Sequence, residues 1–173
     1  MSKKILIAFI CLGLLGSSIA IAGDADAIIT GAESAGPPSV TADATIKDAE
    51  GNVLREGDNG YTCYPEQNGM GAMCNDSVWD ALIHAVMNKA EYSPSAFSIS
   101  YMLAGESDST GTSNSNPYAT QEESDDWVVE GPHLMIIVPD NAMLEGMSRD
   151  PNDPVYVMWG DTDYAHIMVK ITE

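Results

Sequence analysis

Two copies of a short motif hold the residues best suited to chemistry in this chain. Residues 133–135 and 166–168 both read His-x-Met, and they contain two of the three histidines in the sequence. Imidazole nitrogen and thioether sulfur are soft donors, which suit copper, especially Cu(I), and suit Mg²⁺ and Ca²⁺ poorly. The pattern predicts a soft-metal site with four ligands: His133, Met135, His166 and Met168.

Both motifs fall in segments, 133–138 and 166–171, whose apolar composition predicts β-strands. Side chains alternate between the two faces of a strand, so the His and the Met of each motif share a face. If the two strands are neighbours in register, the four side chains converge on one patch. The apolar face of the last strand is expected to consist of Ile167, Val169 and Ile171. A purely structural role stays open, because methionine is a common core filler and a histidine can satisfy backbone groups.

The segment from Trp79 to Met87 predicts an amphipathic helix. Its large apolar residues recur at helical spacing and form one stripe: Trp79, Leu82, Ile83, Val86 and Met87. Asn75 or Asp76 can cap its first turn, and His84 lies away from the stripe, solvated beside Asp80. Further strands are predicted at 45–47, 53–55, 97–103, 127–129 and 155–159. The predicted fold class is α+β, a mainly antiparallel sheet with one principal amphipathic helix.

Cys63 and Cys74 are the only cysteines outside the N-terminal segment. In an oxidising compartment such a pair most often forms a disulfide, and the sequence predicts one disulfide here. The alternative is a soft-metal cluster, because Met70 and Met73 lie between the two cysteines.

The chain divides into three parts on composition. Residues 1–22 have a basic start, an apolar stretch and an A-x-A cleavage pattern, which together predict a signal peptide and export to the periplasm or the exterior. Residues 23–43 are rich in small residues and predict a flexible acidic leader. Residues 44–173 form a single globular domain with a long polar loop at 105–126, a length that is typical of functional or mobile loops.

The net charge limits the partners. With 26 acidic and 7 basic side chains, the chain repels nucleic acid, and no later apolar run is long enough for membrane insertion. A cationic protein or an envelope component is the partner that the acidic surface and the polar loop favour, and this interaction module without metal is the alternative function. Familiar catalytic motifs are missing, so an enzyme is not indicated, although an unrecognised hydrolase stays open as a third hypothesis.

Two resemblances accompany these residues. The His-x-Met motifs resemble the metal-binding pattern of periplasmic copper chaperones, which implies copper as the bound metal. That family combines one such motif with a separate His and Met upstream, whereas this chain carries the motif twice. The segments 59–63, 131–135 and 164–168 also resemble a group of small exported bacterial proteins of unassigned function, which implies export.

Overall fold

The computed structural model describes residues 18–67 and 69–171 of the chain. Its helices are α1 (Ser18–Glu33), α2 (Pro38–Thr41) and α3 (Ser77–Asn88), and 3₁₀ turns lie at Gln121–Glu123 and Asn141–Leu144. Its strands are β1 (Thr45–Lys47), β2 (Val53–Arg55), β3 (Thr62–Tyr64), β4 (Met73–Asn75), β5 (Ser98–Met102), β6 (Thr112–Ser113), β7 (Trp127–Val128), β8 (His133–Ile137), β9 (Val155–Met158) and β10 (His166–Lys170).

An eight-stranded mixed sheet in the order β2-β1-β3-β4-β5-β8-β10-β9 organises the fold. All its pairings are antiparallel except that between β1 and β3, which is parallel. Strands β6 and β7 form a separate two-stranded sheet. The predicted α+β class, with a mainly antiparallel sheet and one main helix, is confirmed.

The two faces of the sheet bury different chemistry. On one face α3 packs against a core rich in methionine and tryptophan. On the other face α1 and the segment after it pack against the Cys63–Cys74 disulfide, which joins directly paired residues of β3 and β4. The predicted disulfide is confirmed, and the soft-metal cluster of Cys63 and Cys74 with Met70 and Met73 is wrong.

The expectation of a flexible leader over residues 23–43 is wrong. This segment forms most of α1 and all of α2, and its small side chains Ala32 and Ala35 are fully buried against Cys63 and Cys74. Small residues bury little area each, but they let a helix approach the sheet closely. An ion pair of 2.6 Å between Arg55 and Glu33 also ties α1 to β2.

Most of the predicted signal peptide lies outside the described residues, so it stays a prediction. Within the described part of the chain, no helix combines the length and the apolar character that crossing a membrane requires.

The last strand alternates as expected, but its more deeply buried face is the one that carries His166 and Met168. On β10 His166 and Met168 are buried, at 1% and 2% exposure, whereas Ile167 and Val169 are only half-buried. Both faces of the sheet are covered here, because Ile167 packs against a second small core built around Val138 and Leu144. When both faces of a strand are covered, its sequence no longer alternates between apolar and polar residues, so the more buried face cannot be recognised from the sequence.

Helix α3 begins at the predicted position and is capped by Asp76. The Asp76 carboxylate accepts hydrogen bonds from the backbone N–H groups of Val78 and Trp79, and from the Ser98 hydroxyl. Two details differ from the predictions. Met87 is 68% exposed instead of completing the buried stripe. Asp80, which was expected beside His84, accepts hydrogen bonds from Asn75 and Tyr64.

Removing this cap tests the α3 assignment. Asp76→Ala is expected to lower the free energy of unfolding by about 1–2 kcal/mol, because two N–H groups of the first turn and Ser98 lose their acceptor. Urea denaturation of the two proteins measures the change. Asp76→Asn is the matched control, because asparagine keeps a side-chain oxygen as acceptor, and an equal loss in both variants would contradict the capping role.

Candidate metal-binding site

The two His-x-Met motifs lie on neighbouring antiparallel strands, β8 and β10. Met168 is directly opposite Met135, and His133 is opposite Lys170. Because the strands run in opposite directions, His133 and His166 lie on opposite sides of the Met135–Met168 pair. All four side chains are 7% exposed or less, so they share one buried face.

The two imidazoles are anchored in the same way. The Nδ1 of His133 lies 2.7 Å from the carbonyl oxygen of Gly131, and the Nδ1 of His166 lies 2.9 Å from that of Tyr164. A carbonyl oxygen only accepts, so each Nδ1 is the protonated nitrogen and each Nε2 keeps its lone pair. Metal-ligating histidines commonly use this arrangement, in which one ring N–H is held by a backbone carbonyl and the other nitrogen is free.

Burial keeps both imidazoles neutral. Desolvation lowers the pKa of His166 to about 4, and it also lowers the pKa of His133 below its ordinary value. The Nε2 of His166 is buried and has no hydrogen-bond partner among the described residues. A buried nitrogen without a partner costs free energy, and a ligand that accepts its lone pair would remove that cost.

All four side chains line a cavity of about 250 Å³ between the sheet, α3 and the 105–126 loop. Methionine dominates its wall, with seven of the ten methionines of the chain: Met70, Met73, Met87, Met102, Met135, Met158 and Met168. We call this space the methionine cavity. Sheet register places Met102 beside His133 and Met158 beside His166, so each histidine has a thioether on the adjacent strand as well.

Aromatic rings and the polar loop enclose the cavity. Trp79 of α3 and Trp159 contact the His166 ring edge-on, with ring centroids 5.1 and 5.0 Å away. The loop contributes Gly111 to the wall, and its strand β6 is held in place because the Trp159 indole N–H donates to the Ser113 carbonyl at 2.9 Å. The predicted long polar loop therefore closes one side of the cavity.

A polar cluster lies at the His133 end. Glu106 lines the cavity, and its carboxylate accepts a hydrogen bond of 2.7 Å from the backbone N–H of Glu130. Glu130 in turn accepts from the Tyr156 hydroxyl at 2.9 Å and pairs with Lys170 at 3.2 Å. Burial raises the pKa of Glu106 to about 7, and the nearby Glu130 charge adds to the increase.

These groups decide what the cavity can do. Among the described residues, no three His, Cys, Asp or Glu side chains come together as ligands, so the donors that do converge are thioethers and imidazoles. Glu106 is the kind of perturbed carboxylate that the hydrolase hypothesis requires. However, the largest group of lining side chains, seven methionines and three tryptophans, consists of thioethers and indoles, which neither attack a carbonyl nor transfer protons.

Sequence reasoning assigned four of the cavity residues to the metal site and left out the other five methionines and Glu106. It considered Met70 and Met73 only as partners of the two cysteines, and Met87 only as part of the α3 stripe. The large number of methionines, ten against two phenylalanines, was the available signal.

Comparison of the chain with protein-family models, curated proteins and solved structures found no match.

Proposed function

We propose that this protein is an exported, non-enzymatic protein that binds Cu(I) through His133, Met135, His166 and Met168. The observation that carries the proposal is the pair of identically anchored imidazoles beside the directly opposed Met135 and Met168. A cation bound by this methionine pair would lie between the two neutral histidines, with His133 towards one end of the strands and His166 towards the other.

The composition of the cavity supports a soft cation. Thioether sulfur binds Cu(I) and has little affinity for Mg²⁺ or Ca²⁺, and Cu(I) carries only a single charge into an apolar space. The disulfide is consistent with an oxidising compartment outside the cytoplasm, where the signal-peptide prediction also places the chain.

Titration with Cu(I) under anaerobic conditions tests the proposal. Ascorbate keeps copper reduced without opening the disulfide, and the chromogenic chelator bicinchoninate competes for the metal. We expect the protein to withdraw about one equivalent of Cu(I) per chain, and Mg²⁺ to bind far more weakly because thioethers and imidazoles are poor ligands for it. Failure to withdraw Cu(I), or equally strong binding of Mg²⁺, would contradict the proposal.

Two controls locate the metal. His84→Ala removes an exposed histidine of α3 that does not line the methionine cavity, so it should leave the affinity unchanged. In a sample with ¹³C-labelled methionine methyl groups, Cu(I) should shift the Met135 and Met168 signals and leave that of the exposed Met143 in place. A shift of Met143 alone would indicate surface binding.

A further inference from the structure

The methionine cavity reaches the protein surface at two of its lining residues. Of the residues that line it, Gly69 and Met87 are exposed, and the others are half-buried or buried. Gly69 belongs to the turn between β3 and β4, and Met87 lies at the C-terminal end of α3. We call the exposed part of the lining, at this turn and at the end of the helix, the mouth of the cavity.

The mouth has a thioether at each of these two places. Met87 is 68% exposed but still lines the cavity. Met70 is half-buried and is held by two backbone hydrogen bonds with Gln67, of 2.8 and 2.9 Å. Gly69 has a φ of +76°, a left-handed conformation that favours glycine, so the tight turn sets the position of Met70.

The methionines continue inward from the mouth. Gly71 follows Met70 in sequence, and a side chain at Gly71 would meet the terminal methyl group of Met102 at 2.9 Å. Met102 is buried and is paired in register with His133. Thioethers thus lie at the surface, next to Gly71 and beside the buried histidine.

We propose that Met70 and Met87 form a capture site at which Cu(I) is first bound and from which it passes by way of Met102 to the buried ligands. This inference rests on the proposed function. Each step is a ligand exchange, in which a copper–sulfur bond to the next thioether forms as the bond to the previous ligand breaks. Copper stays Cu(I) throughout, and no proton or electron is transferred.

The expected signature is kinetic. Replacing both Met70 and Met87 with leucine keeps the volume and removes the sulfur atoms. The rate constant for taking Cu(I) from its bicinchoninate complex should fall about tenfold, a change equivalent to about 1.4 kcal/mol in the barrier. Because the buried ligands are intact, the rate constant for release should fall by the same factor and the Kd should stay within about twofold.

Stopped-flow measurement of the visible absorption band of the Cu(I)–bicinchoninate complex gives the rate constant for capture, and competition at equilibrium gives Kd. Met143→Leu is the matched control, because Met143 is 62% exposed and does not line the cavity. Thermal unfolding checks that the double variant is folded.

Each contrary result has its own meaning. An unchanged capture rate in the double variant would overturn the capture site and leave the buried site standing. A Kd that rises by more than twofold in the double variant would show that Met70 and Met87 are ligands of the bound metal at equilibrium. This result also overturns the inference. A wild-type protein that takes no Cu(I) from the complex would overturn the proposed function itself.

Discussion

Replacement of Met135 and Met168 together by leucine is expected to lower the affinity for Cu(I) by about 100-fold or more. The two sulfur atoms lie on directly opposed residues between the histidines, so the variant removes both central ligands at once. Loss of groups that only orient a metal ligand already costs about 10–100-fold in affinity, and loss of the ligands themselves should cost at least as much. Competition with bicinchoninate measures the change.

The fold should tolerate this change. Leucine and methionine have similar volumes, and such exchanges in a core usually cost less than about 1.5 kcal/mol. Urea denaturation of the metal-free double variant checks this point, and Met143→Leu serves as the control for a methionine outside the cavity. Wild-type affinity in a folded Met135→Leu, Met168→Leu protein would exclude these residues as ligands.

Glu106→Gln is expected to stabilise the protein by about 3 kcal/mol at pH 8, with the gain disappearing at pH 4.5. Burial raises the pKa of Glu106 from 4.5 to about 7, so the native state holds a proton that the unfolded chain releases. The resulting stability is fully present below pH 4.5 and is lost as the pH rises through 7. Glutamine keeps an acceptor for the Glu130 N–H and never carries the buried charge.

The pKa shift of His166 changes stability with pH in the opposite direction. Burial lowers its pKa from 6.5 to about 4, so the unfolded chain binds the proton more readily than the native state does. Stability is therefore present above pH 6.5 and is lost as the pH falls through 4, by about 3 kcal/mol. In the wild-type protein the two effects offset one another between about pH 4.5 and 6.5, whereas the Glu106→Gln variant shows the loss due to His166.

Free energies of unfolding in urea from pH 4 to pH 8 measure both slopes. Glu122→Gln is the matched control, because Glu122 is exposed on the 105–126 loop and its replacement should leave the pH profile unchanged. A Glu106→Gln profile that runs parallel to that of the wild type would show that Glu106 does not titrate as its burial implies.

Local patterns were sufficient for most of the secondary structure. The α3 stripe depends only on the period of the apolar residues, and the structure has α3 and β5 close to the predicted bounds. Helix α1 was missed for the opposite reason. Ala32 and Ala35 are not apolar enough to predict burial, and they are buried because a non-local partner, the disulfide, lies on that face of the sheet.

The site divides in the same way. His133, Met135, His166 and Met168 could be named because each pair is close in sequence and its face follows from strand geometry. The other five methionines of the cavity lie on β4 and the turn before it, on α3, on β5 and on β9, and none of them belongs to a His-x-Met motif. Sheet order and the packing of α3 bring them together, and neither can be read from local spacing.

Strand β4 separates two kinds of sulfur. Met73 belongs to the methionine core beneath α3, and the next residue, Cys74, is bonded to Cys63 on the α1 side. With the disulfide open, the protein would offer a soft cation two competing destinations, thiolates on one side of the sheet and thioethers on the other. Under the proposed function, oxidation of the cysteines would remove this thiolate competitor and leave the thioethers of the methionine side as the soft donors.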